Sequence, residues 1–132
     1  MFYTDGNSYE GYWKNDKRDG PGLLLSKENK EIYRGEFRDD VFHGKGRLYN
    51  MNSRILKEKF NYIDFSRLGE AWVQYEGEFA NGKKEGMGVL MLSNGEKFEG
   101  RFREERVDGK GKFFKSDGSV VEALWIDNKI KY

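Results

Sequence analysis

Several residues of this chain could do chemistry, and their spacing decides whether they do. His43 is the single histidine, and there is no cysteine. A structural zinc site takes about four nitrogen or sulfur ligands, so the donor set is missing. A nucleophilic triad lacks its parts too, because no motif places a serine beside His43. Acidic pairs stand at Asp39-Asp40 and Glu104-Glu105, beside Arg38, Arg103 and Arg106. Catalytic carboxylates need a concave site that sets their environments apart, and hairpin tips in water supply none. No EF-hand spacing is present. Gly-x-Gly pairs recur, but a phosphate loop must open a helix. Here Val89-Leu90-Met91-Leu92 follows, which reads as strand. No catalytic residue, metal or cofactor is expected, and the chain is not expected to be an enzyme.

Charge excludes further classes. The chain carries 24 basic and 23 acidic residues, a net charge of +1. That balance gives no steering field for nucleic acid. No apolar run approaches the roughly 20 residues of a membrane-spanning helix. The opening residues do not resemble a signal peptide, so a soluble cytoplasmic protein is the expectation.

The elements behind these residues are strands. Aromatics make up 16% of the chain, charged residues 36%, and glycine contributes 17 residues. In Tyr75-Glu76-Gly77-Glu78-Phe79 apolar and charged residues alternate with period two, as in a strand with one wet face. Asn81-Gly82 follows, a pair suited to a two-residue hairpin turn. Gly86, Gly88, Leu90 and Leu92 then alternate as a return strand, and Asn94-Gly95 closes the unit.

The same phrase starts at Tyr9, Tyr33, Tyr75 and Phe98. From each start an aromatic falls four residues on, and glycines fall two, eleven and thirteen residues on. Met1–Ser8 reads as a partial copy, and Val121–Tyr132 as another. A repeating supersecondary unit must stack on its neighbours to be stable. Gly77, Gly86 and Gly88 are expected to let a neighbouring ring lie across the backbone.

This pattern resembles the MORN repeat (membrane occupation and recognition nexus), over nearly the whole chain. The resemblance implies an all-β fold: an elongated, twisted, single-layer antiparallel sheet of stacked hairpins, forming one domain over residues 1–132. It also implies scaffold work in cytoskeletal, ciliary or membrane-contact assemblies, without choosing among them. The family name points to a second reading, a phosphoinositide-binding edge built from Lys14, Lys17, Arg18, Lys83, Lys84, Arg103 and Arg106. Asp16, Glu85, Glu104 and Glu105 dilute that edge. A third reading is a purely structural spacer.

One segment breaks the rhythm. Tyr33 to Tyr75 is 42 residues, so about 54–74 reads as an irregular insert. It is either a decayed hairpin starting at Leu56 or a loop with a short helix. Tyr62, Phe65 and Trp72 would be unusual in a purely solvated loop.

The aromatic row is expected to define the functional face. Tyr9, Trp13, Tyr33, Phe37, Tyr75, Phe79, Phe98, Phe102 and Trp125 should share one side of the sheet. A single layer leaves that side uncovered, as an apolar groove for a partner's amphipathic helix or extended segment. Phe79 and Phe102 are the expected anchors. The strand at 121–125 has no full return strand after it, so homodimer or end-to-end contact is expected there.

Overall fold

The computed structural model describes residues 6–131. The partial copy expected at 1–8 lies mostly outside the described residues. The chain forms one open antiparallel sheet of ten strands, each beside its successor in sequence. The strands pair as β1 (Ser8–Lys14) with β2 (Lys17–Leu25), and β3 (Glu31–Arg38) with β4 (Val41–Tyr49). β5 (Trp72–Ala80) pairs with β6 (Lys83–Leu92), and β7 (Lys97–Arg103) with β8 (Arg106–Phe114). β9 (Val120–Ile126) and the short β10 (Lys129–Lys131) complete the sheet. Among the described residues the only helical element is a single 3-10 turn, Phe65–Arg67.

Each hairpin is closed by two residues with positive φ. Asn15-Asp16, Asp39-Asp40, Asn81-Gly82, Glu104-Glu105 and Asp127-Asn128 all lie between 46° and 82°. That is the mirror-image turn whose twist matches paired strands. In the hairpins starting at Tyr9, Tyr33, Tyr75 and Phe98 the register then slips, for example between Gly77↔Gly88 and Phe79↔Lys84. The slip is a bulge, and Gly86 sits in it at φ 87°. Gly86 therefore serves the bulge and lies under no ring, contrary to expectation. The Glu78 carboxylate closes the bulge by accepting the Met87 N–H at 2.7 Å.

The other glycines form a row across the sheet. Gly11, Gly22, Gly35, Gly46, Gly77, Gly88, Gly100 and Gly111 oppose one another strand by strand. Tyr33 lies across Gly46 and Tyr75 across Gly88, so a Cβ there would enter the ring. At Gly111 it would come 2.6 Å from Phe98 Cε1. The expected ring-over-glycine packing is thus present, and it lets each aromatic lie flat enough to bury fully.

The insert takes the second of its two expected forms, a loop with one short helical turn, with shifted bounds. Trp72 already belongs to β5, so the irregular segment is 50–71, and Leu56 starts no hairpin. The segment crosses the aromatic side of the last three hairpins and drops Phe60, Phe65 and Leu68 into the core. The face expected to lie uncovered therefore has a second layer over its C-terminal half. The same segment meets the far edge. Ile130 N–H donates to the Ile63 carbonyl at 2.9 Å, and Phe65 N–H to the Asn128 carbonyl at 2.8 Å. The edge of β9 expected to be open is paired over Leu124–Ile126 by β10, and residues 63–65 in turn meet β10 and the turn before it.

Candidate interaction face

The nine expected groove residues do share one face, but eight of them are buried. Tyr9, Tyr33, Phe37, Tyr75, Phe79, Phe98, Phe102 and Trp125 are each 3% exposed or less. Their rings meet edge to face along the sheet. Tyr75 lies 5.1 Å from both Phe79 and Phe102, and Phe98 lies 5.2 Å from Trp125. Such pairs add about 0.5–1.5 kcal/mol beyond their buried area. Phe79 and Phe102 are thus core rings of this chain, and no open groove runs over them. Trp13 alone of the nine keeps substantial exposure, at 41%.

What covers the rings comes from the return strands. The residue nine after each start lies on the same face. Arg18 lies 4.9 Å over Phe37 and 5.8 Å over Tyr9. Phe42 stacks on Tyr33 at 3.9 Å. Lys84 lies 5.4 Å over Tyr75 and 4.5 Å over Trp72. Val107 holds the corresponding place and is buried.

Two of these covering residues, Arg18 and Lys84, were expected on a basic edge. The structure folds their stems onto the rings and ties their ends to the next hairpin's tip. Arg18 Nε meets the Asp40 carboxylate at 3.3 Å, and Lys84 Nζ meets Glu105 at 3.2 Å. Arg106 meets Asp127 at 2.8 Å. Backbone bonds run alongside these pairs: Asp40 N–H donates to the Arg18 carbonyl, and Glu105 N–H to the Lys84 carbonyl, each at 3.0 Å. The tips thus clasp one another, which places a carboxylate beside each of these three cations. Lys14, Lys17, Lys83 and Arg103 are exposed at the tips.

Burial shifts two phenols. Desolvation raises the pKa of Tyr33 and Tyr75 well above the ordinary tyrosine range, and the Glu36 and Glu78 carboxylates add to it. Each hydroxyl donates to a backbone carbonyl at 2.8 Å, Glu36 for Tyr33 and Glu78 for Tyr75. His43 occupies the place where Glu85 and Asp108 accept an N–H from the next tip. Its Nδ1 is buried without a hydrogen-bond partner. No metal-binding cluster of His, Cys, Asp or Glu occurs among the described residues.

Sequence reasoning passed over Glu96, which is 1% exposed. Its carboxylate accepts the Phe60 N–H at 2.8 Å and the Ser116 N–H at 3.0 Å. Asn94 Nδ2 donates to it at 2.7 Å and to the Glu58 carbonyl at 2.9 Å. Ser93 Oγ donates to the Arg54 carbonyl at 2.7 Å. Residues 93–96 therefore pin the insert to the sheet. Their one signal in the sequence is the Asn94-Gly95 turn, which looks like any other turn of the series.

Between the insert and the β5–β6 hairpin lies a cleft of about 380 Å³, lined by Leu68, Trp72, Lys84, Leu90, Phe102 and Val107 among others. Ser66, Glu70, Glu105 and Asn128 also line it, so its mouth is polar over a buried apolar floor. Further toward the N-terminus, Phe42 and Leu48 are only partly buried.

Comparison with known proteins follows this geometry closely. The MORN repeat matches at residues 9–28, 33–53, 75–97 and 98–120. These segments carry the hairpins β1–β2, β3–β4, β5–β6 and β7–β8, and omit most of the insert. Alsin of Rattus norvegicus is 30% identical over 103 residues, covering 75% of this chain and 5% of Alsin. MORN repeat-containing protein 3 of Xenopus laevis is 32% identical over 93 residues, covering 70% of this chain and 34% of the relative. The chain thus spans a small part of the length of each.

Proposed function

This chain belongs to the MORN repeat family, and from that premise we propose that it is a non-enzymatic interaction module. It holds a polypeptide segment of a partner protein against the aromatic face, within a cytoskeletal, ciliary or membrane-contact assembly. One observation carries the reading. The chain lays a segment of itself on that face, with Phe60, Phe65 and Leu68 as anchors. The face is therefore chemically suited to an apolar peptide, and only its C-terminal half is taken. On the N-terminal half Trp13 is 41% exposed, edge to face with Tyr9 at 5.0 Å, and Phe42 is only partly buried. A bulky ring left wet at the end of a packed row is a common binding anchor.

The lipid reading has weaker support, because Arg18, Lys84 and Arg106 each sit beside a carboxylate. The test uses a photo-crosslinking amino acid at position 13, with position 12 as control. Adjacent strand residues face opposite sides of the sheet. Crosslinks to one polypeptide from position 13 and not from position 12 support the reading. Binding to phosphoinositide liposomes without any position-13 crosslink would replace it.

A further inference from the structure

The first hairpin lacks what each later hairpin receives from the one before it. Inside the sheet the ring four residues after each start faces a glycine of the preceding strand. Phe37 faces Gly20, Phe79 faces Gly44 and Trp125 faces Gly109. These rings are 3% exposed or less, while Trp13 is 41% exposed. Gly11 is exposed too, where Gly35, Gly77 and Gly100 are not. β1 ends the sheet, and no strand among the described residues pairs with the outer side of Gly11–Lys14. An unpaired strand edge is a template for another strand.

Each later tip is also clasped by the preceding hairpin, and the clasp follows charge. The N–H of Asp40 donates to the Arg18 carbonyl, that of Glu105 to Lys84 and that of Asn128 to Val107. In return the Asp40 and Glu105 carboxylates accept the N–H of Arg18 and Lys84 and pair with their side chains. The neutral Asn128 accepts the N–H of Val107, and the neutral Gly82 meets Phe42. A carboxylate tip thus takes a basic residue, and a neutral tip an apolar one. Asp19, Glu85 and Asp108 come next in their strands and accept the N–H of the first tip residue. Asn15-Asp16, the tip of the first hairpin, is exposed and has no such clasp among the described residues.

We propose that the outer edge from Gly11 to Asp16 is a docking site for an extended strand of a partner protein that carries Arg or Lys, then Asp or Glu, then Gly. The proposal rests on the interaction reading above and gives the partner segment a sequence and a seat. The strand adds antiparallel to β1, with main-chain bonds for affinity and side chains for choice. Its basic residue covers Trp13 and pairs with Asp16, as Arg18 lies 4.9 Å over Phe37 and pairs with Asp40. Its acidic residue accepts the Asn15 N–H, and its glycine faces Trp13. A second copy offers no such strand. Its Arg18-Asp19-Gly20 and Lys84-Glu85-Gly86 lie in strands already paired on both sides, and its own open edge, Gly11–Lys14, carries no such run.

The test selects random peptides displayed on phage against the full chain. Selected peptides should share the basic-acidic-glycine run and lose binding about tenfold or more on Trp13→Ala, as for an anchor residue. Asp16→Asn is the decisive variant. Asn tolerates a positive φ as Asp does, so the hairpin keeps its fold while the tip loses its charge. Selection on Asp16→Asn should then replace Arg or Lys by Val or Phe, as Asn128 takes Val107. Peptides that need Trp13 but lack the run, or that keep Arg or Lys on Asp16→Asn, would overturn the edge site and leave the interaction reading standing. Selection of no peptide would overturn the edge site; joined with liposome binding and no position-13 crosslink, it would remove the interaction reading as well. A concentration-dependent dimer weakened by Asp16→Asn would make the occupant a second copy and overturn the partner named here.

Discussion

Trp125 Nε1 donates a hydrogen bond of 2.8 Å to the backbone carbonyl of Tyr62, sixty-three residues away. The bond joins the last hairpin to the insert that interrupts the second and third. It gives a fully buried indole its one polar partner, and it fixes where the second layer lies. Buried indole N–H groups are costly to leave unpaired. Trp125→Phe keeps most of the packing and loses the bond. It should cost about 1–2 kcal/mol in denaturant unfolding, with faster amide exchange in residues 60–65.

Glu96 should matter more. Glu96→Ala removes an acceptor shared by the Phe60 and Ser116 N–H groups and by Asn94. The buried Phe60 N–H is then unsatisfied, at about 1–3 kcal/mol, and the exposed Ser116 loses a part-buried bond. Destabilisation of about 3 kcal/mol is expected, with the insert released before the sheet melts. Hydrogen exchange that shows 54–71 and the strands opening together would contradict this order.

The glycine row makes a prediction about coupling. A Cβ at Gly88 enters the Tyr75 ring, so Gly88→Ala should cost about 1–3 kcal/mol by overpacking. In a Tyr75→Leu background the same change should cost much less, because the ring is gone. Gly95 has nothing within 4 Å of a built Cβ and φ 91°. Gly95→Ala should therefore show only backbone strain, with no dependence on Tyr75. Double-mutant cycles measure both.

Alkaline pH should loosen the sheet. Tyr33 and Tyr75 hold their protons in the fold because burial opposes the phenolate, with the nearby Glu36 and Glu78 acting in the same sense. In the unfolded chain they ionise near pH 10. Above that value the unfolded state binds fewer protons, so the linkage slope is negative and stability falls as pH rises. Below it the contribution is complete. Tyr75→Phe, which copies the natural Phe98, should flatten the decline between about pH 10 and 12. An equal decline in both proteins would reject this origin.

Hairpins, turns and ring-bearing positions were legible in the sequence because they are local. A two-residue turn with positive φ, period-two alternation and a fixed glycine spacing each act within one 23- or 24-residue copy. Their recurrence in register left one economical sheet. The rings were correctly assigned to one face for the same reason. What local pattern could not decide was which groups cover that face. Whether Tyr75 lies open or buried depends on Lys84 folding over it, and Phe98 on Phe65 arriving from the insert. Residues 50–71 have no repeat of their own to copy. Their path is set by contacts with residues far along the chain: Ser93 and Glu96 holding backbone donors, and Trp125 holding a carbonyl. Such partners are brought together by the sheet and not by local sequence. Periodicity therefore determined the layer, and tertiary packing decided how much of it a partner can reach.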